Sequence, residues 1–356
     1  MGTRVMILAG GTGGHVFPAL AVAQALRRLG AEVFWMGTRT GIESRIVPAA
    51  GIPIDWIGVE GIRGKGWGAK WRSPIMLGLA FHRALRILQA RKPDVILGMG
   101  GFVAGPGGVM GLLLGIPLVI HEQNRIPGTT NRLLARVAKK VLEAFPGSFP
   151  QATRAICTGN PLRQAIASLS SDPSGRNDGS MRILVLGGSQ GAQALNRIMP
   201  PTLAKLGPHG IEVWHQTGAV LEEETRASYQ RLAIPARVDA FIEDMEAAYR
   251  WADLAICRSG AMTVSELAAA GLPAILVPYP YAIDDHQTAN ARFLVDAGAA
   301  RMIPQSELTA DSLAAEIGHF LAERHLLREM GRQAESLARR DAADRVAAIC
   351  LNEAKG

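Results

Sequence analysis

Residues 10–15, Gly-Gly-Thr-Gly-Gly-His, follow directly on the apolar run at 4–9, Arg-Val-Met-Ile-Leu-Ala. The apolar run is typical of a buried parallel strand, and the run from Ala19 to Leu29 predicts a helix. A turn without side-chain bulk lets backbone N–H groups approach phosphate oxygens, and the next helix N-terminus adds its positive dipole end. Glycines at such a junction can equally serve close packing. His15 adds a titratable side chain beside this turn, which favours a phosphate site with a proton acceptor.

The composition indicates a globular protein of two domains. The chain has 356 residues, enough for two cores, and 48% of them are hydrophobic. No run approaches the ~20 apolar residues of a membrane span, and we expect no signal peptide. The three cysteines, at positions 157, 257 and 350, form no Cys-x-x-Cys pair. This spacing disfavours a disulfide framework or a zinc site and fits a reducing cytoplasm.

The positive charge of the chain is concentrated in its first half. Residues 1–160 carry 19 Lys and Arg against 7 Asp and Glu, which gives +12, whereas residues 161–356 carry 19 against 24, which gives −5. The first half therefore suits an anionic partner. Nucleic acid is disfavoured because aromatic residues are only 5% of the chain and no recognised binding motif appears. An anionic membrane surface or a phosphorylated ligand fits better.

Residues 61–93 combine eight basic residues with apolar ones and contain no acidic residue. Such a segment predicts a helix at a membrane interface, where apolar groups enter the headgroup region and cations meet anionic lipid. The alternative is a core helix with a solvated basic face. The proposed membrane patch consists of Trp67, Trp71, Ile75, Leu79 and Phe81.

A second glycine-rich turn, from Gly98 to Gly108, follows the predicted strand 94–97. Ligands of open α/β sheets bind at the carboxyl edge of the strands, so two such turns suggest a diphosphate, with Gly100 and Gly101 among its contacts. The predicted strand 117–120 ends in His121-Glu122-Gln123-Asn124 at the same edge. We expect Asn124 to face a ligand and His121 and Glu122 to brace the loops.

The second half repeats the plan of the first after a Ser-, Asp- and Gly-rich linker at 168–181. A strand at 181–186 leads into a glycine turn with Ser189, and we predict two Rossmann-like α/β domains facing each other across a cleft. A nicotinamide cofactor is disfavoured because neither opening reads Gly-x-Gly-x-x-Gly, and a nucleotide diphosphate fits better. Glu266 suits a ribose diol or, alternatively, a favourable interaction with a helix dipole.

The adjacent Asp284 and Asp285 suggest a metal site or, more simply, a helix N-cap. No separate cluster of His, Asp and Glu at ligand spacing supports the metal interpretation. We therefore expect no metal site.

Six short stretches lie in order along the chain between residues 10 and 266. They are residues 10–21, Gly100-Gly101-Phe102, His121-Glu122-Gln123-Asn124, Gly159-Asn160-Pro161, Gly187 to Ala192 and Ser259 to Glu266. In this order they resemble the MurG family, peripheral membrane glycosyltransferases that add N-acetylglucosamine to lipid I in peptidoglycan synthesis. The resemblance implies a GT-B fold and inverting transfer from UDP-N-acetylglucosamine to the 4-hydroxyl of the N-acetylmuramoyl unit, giving lipid II. It also implies that no cofactor or metal is obligatory.

The resemblance further implies how the chain is divided. Residues 1–163 would form the acceptor and membrane-associating domain, with the last helix, about 341–356, packing back on it, and residues 164–340 would bind the donor. Its partners would be UDP-N-acetylglucosamine, lipid I, the anionic cytoplasmic face of the bacterial membrane and other cell-wall synthesis proteins.

Donor-binding residues carried over from the family lie in both halves. They are Thr12, Gly13, Gly14, Asn124, Arg163, Ser189, Ile242 at the uracil, Ala261, Met262, Thr263, Glu266 at the ribose, and Gln287. The acceptor diphosphate would contact Gly13, Gly14, Gly100 and Gly101. The family can carry Gln-Gln where this chain has His286-Gln287.

Inverting transfer needs a base for the attacking hydroxyl, and we assign His15 to that role as a hypothesis. Its alternative role is a hydrogen bond to a diphosphate oxygen, and Glu122 is a weaker candidate base. Two rival functions are a soluble glycosyltransferase with a small acceptor and a non-catalytic protein that binds a lipid diphosphate or a nucleotide sugar.

Overall fold

The computed structural model describes residues 2–58, 67–169, 179–188, 192–207 and 210–355, and of residues 67–75 and 283 the backbone alone. The chain divides into two compact units. Unit 1 comprises residues 1–163 and 339–356, and unit 2 comprises residues 164–338.

Unit 1 contains a seven-stranded sheet in which all the paired strands are parallel. Its strands are β1 (Arg4–Leu8), β2 (Glu32–Gly37), β3 (Ile54–Trp56), β4 (Val95–Gly98), β5 (Leu118–Glu122), β6 (Lys140–Glu143) and β7 (Ile156–Cys157). They lie in the order β3-β2-β1-β4-β5-β6-β7. The strands that precede the two glycine turns and the His-Glu-Gln-Asn motif, β1, β4 and β5, are therefore neighbours, and their loops emerge at one edge.

Helices cover both faces of this sheet. In chain order they are α1 (Gly13–Arg28), α2 (Glu43–Ala49), α3 (Trp67–Arg91), α4 (Ala104–Leu113), α5 (Thr129–Leu134) and, from the end of the chain, α14 (Ala342–Glu353). Alternate strand residues point to opposite faces. Val5 and Ile7 pack in one core with α1, α2 and α14, whereas Met6 and Leu8 pack in the other with α3, α4 and α5.

The last helix, α14, is part of the unit 1 core. Val346, Ala347 and Cys350 are fully buried in the cluster that contains α1. An exposed ion pair of 2.8 Å between Arg28 and Asp344 also joins the two helices, but solvent-exposed pairs contribute little. The apolar contacts therefore hold α14 in place.

Unit 2 contains a six-stranded sheet in the order β10-β9-β8-β11-β12-β13, again with parallel pairs. Its strands are β8 (Met181–Leu186), β9 (Ile211–Gln216), β10 (Arg237–Asp239), β11 (Leu254–Cys257), β12 (Ala274–Leu276) and β13 (Ala300–Met302). Its helices are α6 (Gln164–Ala167), α7 (Gln193–Leu206), α8 (Glu222–Arg231), α9 (Met245–Trp251), α10 (Ala261–Ala270), α11 (His286–Val295), α12 (Ala310–Ala322) and α13 (Arg324–Ser336). Each sheet thus has the strand order of a doubly wound Rossmann-like unit.

The first helix begins earlier than the sequence predicts. We expected it from Ala19, but α1 begins at Gly13 and contains Pro18. The carbonyl of Gly14, which Pro18 cannot bond, lies in the first turn, where the interruption costs little. His15 therefore belongs to the first turn of a helix rather than to the loop before it.

Within the residues that the structure describes, none of the helices has both the length and the apolar character needed to cross a bilayer.

Candidate active site

The glycine turn after β1 is held from below by a buried carboxylate. The side chain of Glu43 is fully buried and accepts hydrogen bonds from the backbone N–H of Gly11 at 3.0 Å and from the backbone N–H of Thr38 at 2.9 Å. The Thr38 hydroxyl donates to it at 2.6 Å. Gly11 has φ 96°, a conformation that favours glycine. Glu43 therefore fixes the conformation of the turn through a backbone hydrogen bond, and the turn needs no side chain of its own for this.

The N-terminus of α1 presents backbone donors at this turn. Thr12 occupies the N-cap position, and its carbonyl accepts from the N–H groups of His15 at 3.1 Å and Val16 at 3.2 Å. The N–H groups of Gly13 and Gly14 have no hydrogen-bond partner among the described residues. Two such donors at the positive end of a 16-residue helix form an anion-binding position.

A line of four hydrogen-bonding groups connects His15 to the interior of unit 1. Its Nδ1 atom lies 2.7 Å from Oε1 of Gln123. The Nε2 atom of Gln123 lies 3.1 Å from Nδ1 of His121, whose Nε2 lies 3.0 Å from the carbonyl oxygen of Gly159. Gln123 and His121 are buried, and His15 is half-buried. His15 is thus the solvent-accessible end of a buried network.

The second glycine turn packs against the first. Gly100 has φ 97°, and a Cβ atom there would lie 2.9 Å from Nδ1 of His15. Gly101 has φ 78°, and a Cβ atom there would lie 2.5 Å from the carbonyl oxygen of Gly10. Both positions therefore require glycine for two reasons, the positive φ and the close approach. The structure thus brings the predicted glycines of both turns together with His15.

Glu122 is fully engaged inside unit 1. Its carboxylate accepts hydrogen bonds from the N–H of Asn124 at 2.9 Å, the N–H of Gly128 at 3.0 Å and Nδ2 of Asn131 at 3.0 Å. It is 2% exposed. A carboxylate that is buried and occupied by these donors braces the loop, and it cannot reach a hydroxyl of a ligand without breaking them.

Asn124 and Arg163 lie at the surface of unit 1. The Nδ2 atom of Asn124 donates to Glu122 at 3.2 Å, and its carbonyl accepts from the hydroxyl of Ser148 at 3.1 Å. Arg163 is exposed, and its guanidinium lies 5.9 Å from the centre of the Phe17 ring in α1. Arg163 and His15 are thus both associated with α1.

In unit 2, Glu266 is oriented by a tyrosine. It lies in the second turn of α10, half-buried, and its Oε2 accepts a hydrogen bond from the hydroxyl of Tyr249 at 2.8 Å. Tyr249 is 3% exposed and belongs to α9. This contact fixes the direction of a carboxylate that is accessible to a polar ligand.

The N-terminus of α10 carries the other residues predicted to line the phosphates, Ala261, Met262 and Thr263. Gly260 is at the N-cap and provides no side-chain cap. The hydroxyl of the preceding Ser259 is buried and has no partner among the residues described. The first turn of α10 therefore resembles that of α1, with backbone donors at a helix N-terminus.

The loop after β12 is held by Arg258. Its guanidinium donates to the carbonyls of Val277 at 3.1 Å and Pro278 at 3.2 Å and to Oε1 of Gln305 at 2.6 Å. Burial lowers the pKa of Arg258, and these acceptors retain its charge. The loop continues to Gln287, whose Oε1 accepts from the N–H of Tyr279 at 2.9 Å.

Two further predicted positions are the N-terminus of α11 and the residue expected at the uracil. Asp285 occupies the N-cap position of α11, as predicted, but its side chain makes no hydrogen bond to the helix backbone. Its carboxylate instead accepts from the hydroxyl of Thr288 at 2.7 Å. Ile242 is 4% exposed, so a base at this position would meet its backbone, while the adjacent Phe241 is 62% exposed.

Four predicted residues lie wholly or partly outside the described residues. Ser189 is one, although the neighbouring Gly188 is described and exchanges two hydrogen bonds with the side chain of Gln216, at 3.0 and 2.9 Å. The side chains of Trp67, Trp71 and Ile75 are the others. Of the predicted membrane patch, Leu79 is exposed and Phe81 half-buried.

In the described ranges, no three side chains of His, Cys, Asp or Glu are grouped as metal ligands. The three cysteines are free, and burial raises the pKa of both Cys257 and Cys350 to about 12.

Two family models match this chain in succession. Residues 5–143 match the glycosyltransferase family 28 N-terminal domain, and residues 182–346 match the family 28 C-terminal domain. The chain belongs to glycosyltransferase family 28. The predicted family and enzyme class, a hexosyltransferase, are thereby confirmed.

Curated family members are similar over the whole chain. A protein of Methylococcus capsulatus is 65% identical and one of Shewanella denitrificans is 51% identical, with 98% or more of each chain covered. Both are named UDP-N-acetylglucosamine–N-acetylmuramyl-(pentapeptide) pyrophosphoryl-undecaprenol N-acetylglucosamine transferase. The crystal structure of MurG from Acinetobacter baumannii is 43% identical, has a TM-score of 0.83 and covers 98% of this chain and 99% of its own.

The fold of the family extends to distant glycosyltransferases. That of kitacinnamycin is only 15% identical but has a TM-score of 0.70 over 99% of both chains. This likeness concerns the fold alone. The predicted fold class, α/β with two Rossmann-like domains of the GT-B type, is confirmed.

Several residues of the site escaped the sequence analysis because each acts through a partner remote in sequence. They are Glu43 below the first glycine turn, Gln123 beside His15, Gln216 at the turn after β8, Tyr249 on Glu266 and Arg258 in the loop after β12. Gln123 belongs to the His-Glu-Gln-Asn motif, but its contact with His15 joins residues 108 positions apart, so the sequence carries no signal of it.

Proposed function

We propose that this family 28 glycosyltransferase transfers N-acetylglucosamine from UDP-N-acetylglucosamine to the 4-hydroxyl of undecaprenyl-diphosphate-linked N-acetylmuramoyl-pentapeptide, lipid I. The products are lipid II and UDP, and the configuration at the transferred sugar is inverted. The reaction corresponds to the names of relatives up to 65% identical over 99% of the chain.

The observation that carries the proposal in the structure is the place of His15. Its imidazole stands in the first turn of α1, among the N–H groups of Gly13 and Gly14 and against the backbone of Gly100. An anion held by these donors and a proton acceptor are therefore within one helical turn of each other. A diphosphate-linked acceptor whose hydroxyl must be deprotonated requires both.

The chemical step assigned to unit 1 is proton removal. His15 would accept the proton of the 4-hydroxyl while the oxygen forms a bond to C1 of N-acetylglucosamine. The bond between C1 and the diphosphate oxygen breaks, and UDP leaves with its electron pair. Glu122 is a poor alternative base because its carboxylate already accepts several internal hydrogen bonds.

On unit 2, α10 supports donor binding. Glu266, oriented by Tyr249, would accept hydrogen bonds from the ribose hydroxyls, and the first turn of α10 would bind the diphosphate with Thr263. Ser189 and the loop with Gln287 would complete the donor contacts. The dipole of α10 can stabilise the negative charge that develops on UDP, so we propose that no metal or other cofactor is obligatory.

We further propose that unit 1 docks peripherally on the anionic cytoplasmic face of the membrane. Besides Leu79, exposed apolar side chains occur on α4 and α5, which pack on the same face of the sheet as α3. Leu113 is 74% exposed and Leu133 is 57% exposed. Arg83 and Arg132 are exposed on α3 and α5. Apolar groups flanked by cations suit an interface with anionic lipid.

The test is UDP release from UDP-N-acetylglucosamine with a lipid I analogue, with and without EDTA. Release that requires the acceptor and survives EDTA is expected. No release with a competent acceptor would favour a non-catalytic binding protein, and equal release with a small water-soluble sugar acceptor would favour the soluble enzyme. Release abolished by EDTA, and restored by added divalent metal, would contradict the proposed independence from metal.

A further inference from the structure

We propose that Gln123 and His121 are positioning residues that keep the proton of neutral His15 on Nδ1, so that the Nε2 lone pair is always the proton acceptor. The proposal rests on the proposed function of His15 but is carried by the buried network behind it. The direction of each hydrogen bond in this network follows from two backbone carbonyls, because a carbonyl oxygen only accepts hydrogen bonds.

The first fixed point is the carbonyl of Gly159. It lies 3.0 Å from Nε2 of His121, so this nitrogen carries the proton. Gly159 has φ 85°, and a Cβ atom at this position would overlap with the side chain of Arg339, so the position requires glycine. Its carbonyl can only accept, which fixes the direction of the hydrogen bond at this end of the network.

His121 carries only this one proton. It is fully buried, and burial lowers its pKa from 6.5 to about 4, although the hydrogen bond to Gly159 opposes the shift. At neutral pH the ring is uncharged, and Nδ1 must present its lone pair. The partner at 3.1 Å from Nδ1 must then be a donor, which is the amide nitrogen of Gln123.

The second fixed point gives the same orientation of Gln123 independently. Its Nε2 atom also lies 3.0 Å from the backbone carbonyl of His121, another group that only accepts. Rotation of the amide by 180° would place Oε1 of Gln123 against the carbonyl oxygen of His121. Neither oxygen could donate, so two buried acceptors would face each other without a hydrogen bond, which is costly. The Oε1 atom of Gln123 therefore faces His15, at 2.7 Å from its Nδ1.

An amide oxygen accepts, so Nδ1 of His15 must donate. The neutral imidazole has one proton, and Nε2 consequently retains its lone pair. Nε2 has no partner within the described part of the chain, so its lone pair is directed away from the buried network. A histidine with the proton on Nε2 could not act as a base there, and selection of the correct tautomer by a neighbour is a recognised requirement in other enzymes.

The direct test is ¹⁵N NMR of the wild-type protein labelled at histidine, in which two-bond N–H couplings distinguish the tautomers. His15 is assigned by its absence in His15→Gln. A spectrum at neutral pH with protonated Nδ1 and unprotonated Nε2 is expected for His15, and the reverse for His121. Protonated Nε2 on His15, or rapid averaging between the tautomers, would overturn the proposal whatever the activity of the protein.

The second test is Gln123→Met, which keeps the length and loses all three side-chain hydrogen bonds, those to Nδ1 of His15, to Nδ1 of His121 and to the carbonyl of His121. We expect kcat to fall about tenfold, since one hydrogen bond selects the tautomer, with an unchanged KM for UDP-N-acetylglucosamine and an averaged His15 spectrum. The exposed Gln151→Met is the matched control, with wild-type kinetics and spectrum. A Gln123→Met protein with a reduced kcat but the wild-type tautomer would make the residue merely structural. If Gln123→Met does not fold, the wild-type spectrum still decides the proposal. Wild-type protein without transferase activity would refute the proposed function, but it would not affect the conclusion on the His15 tautomer.

Discussion

The Oε2 atom of Glu43 accepts a hydrogen bond from the backbone N–H of Gly11 at 3.0 Å, although the two residues are 32 positions apart. The same carboxylate accepts two hydrogen bonds from Thr38. The conformation of the first glycine turn thus depends on a fully buried charge that contacts no predicted ligand. This dependence can be tested by a change of one atom.

Glu43→Gln should destabilise unit 1 and distort the turn. Every donor around the carboxylate now needs an acceptor, and whichever way the new amide turns, its NH₂ group faces an N–H or O–H. We expect a loss of about 1–3 kcal/mol in the free energy of unfolding, measured with urea. Glu32→Gln, at an exposed position of β2, is the control and should change this free energy little. Equal stability of the two variants would mean that the carboxylate does not hold the turn.

His15→Ala should lower turnover by ~10²–10⁴-fold, because general base catalysis contributes about this much. Binding of UDP to the variant, measured by calorimetry, should stay nearly unchanged because its ribose and diphosphate are assigned to Glu266 and the first turn of α10, both in unit 2. Unchanged turnover would remove His15 from the role of base. Weaker UDP binding at normal turnover would instead indicate a role in holding a phosphate.

Tyr249→Phe should raise the KM for UDP-N-acetylglucosamine about three- to tenfold and change kcat little. The hydroxyl orients Glu266 at 2.8 Å, and loss of one hydrogen bond to a carboxylate has an effect of this size on ribose binding. A donor analogue without the ribose 2′-hydroxyl should show a smaller difference between wild type and variant. An unchanged KM for the natural donor would contradict the assigned role of Glu266.

Acid should weaken the protein between pH 6.5 and about 4. Burial lowers the pKa of His121 to about 4 and that of His215 to about 3, so in this range the unfolded chain binds more protons than the folded one. Stability therefore falls as the pH falls, by roughly 3 kcal/mol for His121 alone. Urea unfolding at several pH values measures the effect. His215→Gln should flatten the slope, whereas replacement of the exposed His325 by Gln should not.

Replacing Leu79 and Leu113 by Gln should weaken binding to vesicles that contain phosphatidylglycerol. Both leucines are exposed on the helices of one core of unit 1. Leu29→Gln is the control, since Leu29 is 55% exposed, about as much as Leu79, but follows α1 on the opposite face of the sheet. Sedimentation with vesicles measures the bound fraction, and equal loss in both variants would show that the effect is not specific to this patch.

The sequence predicts the doubly wound plan well because buried parallel strands are continuous apolar runs. The predicted strand 181–186 coincides with β8, and both glycine turns are at the carboxyl ends of strands, β1 and β4. The boundaries of α1 and β5 were wrong. Each depends on a local feature, Pro18 or the polar pair His121 and Glu122, that tertiary packing overrides.

The candidate site is predictable to the extent that its residues are adjacent in sequence. Gly13, Gly14 and His15 share one turn, so their proximity follows from the motif itself. The contact between His15 and Gln123 joins residues 108 positions apart, and the one between Glu266 and Tyr249 joins two helices. Such pairs depend on strand order and helix packing, neither of which a single sequence specifies.

Because α14 returns to unit 1, that unit is discontinuous in sequence. This constrains the order in which the two units can fold during synthesis. A ribosome releases all of residues 164–338 before it has supplied Val346 and Cys350, two fully buried residues of the unit 1 core. The second unit of the sequence can therefore complete its structure first, although domains generally fold in the order of their synthesis. Until the residues of α14 emerge, the apolar surface of α1 that they cover in the folded protein stays exposed, and chaperones that bind apolar surfaces can reach it.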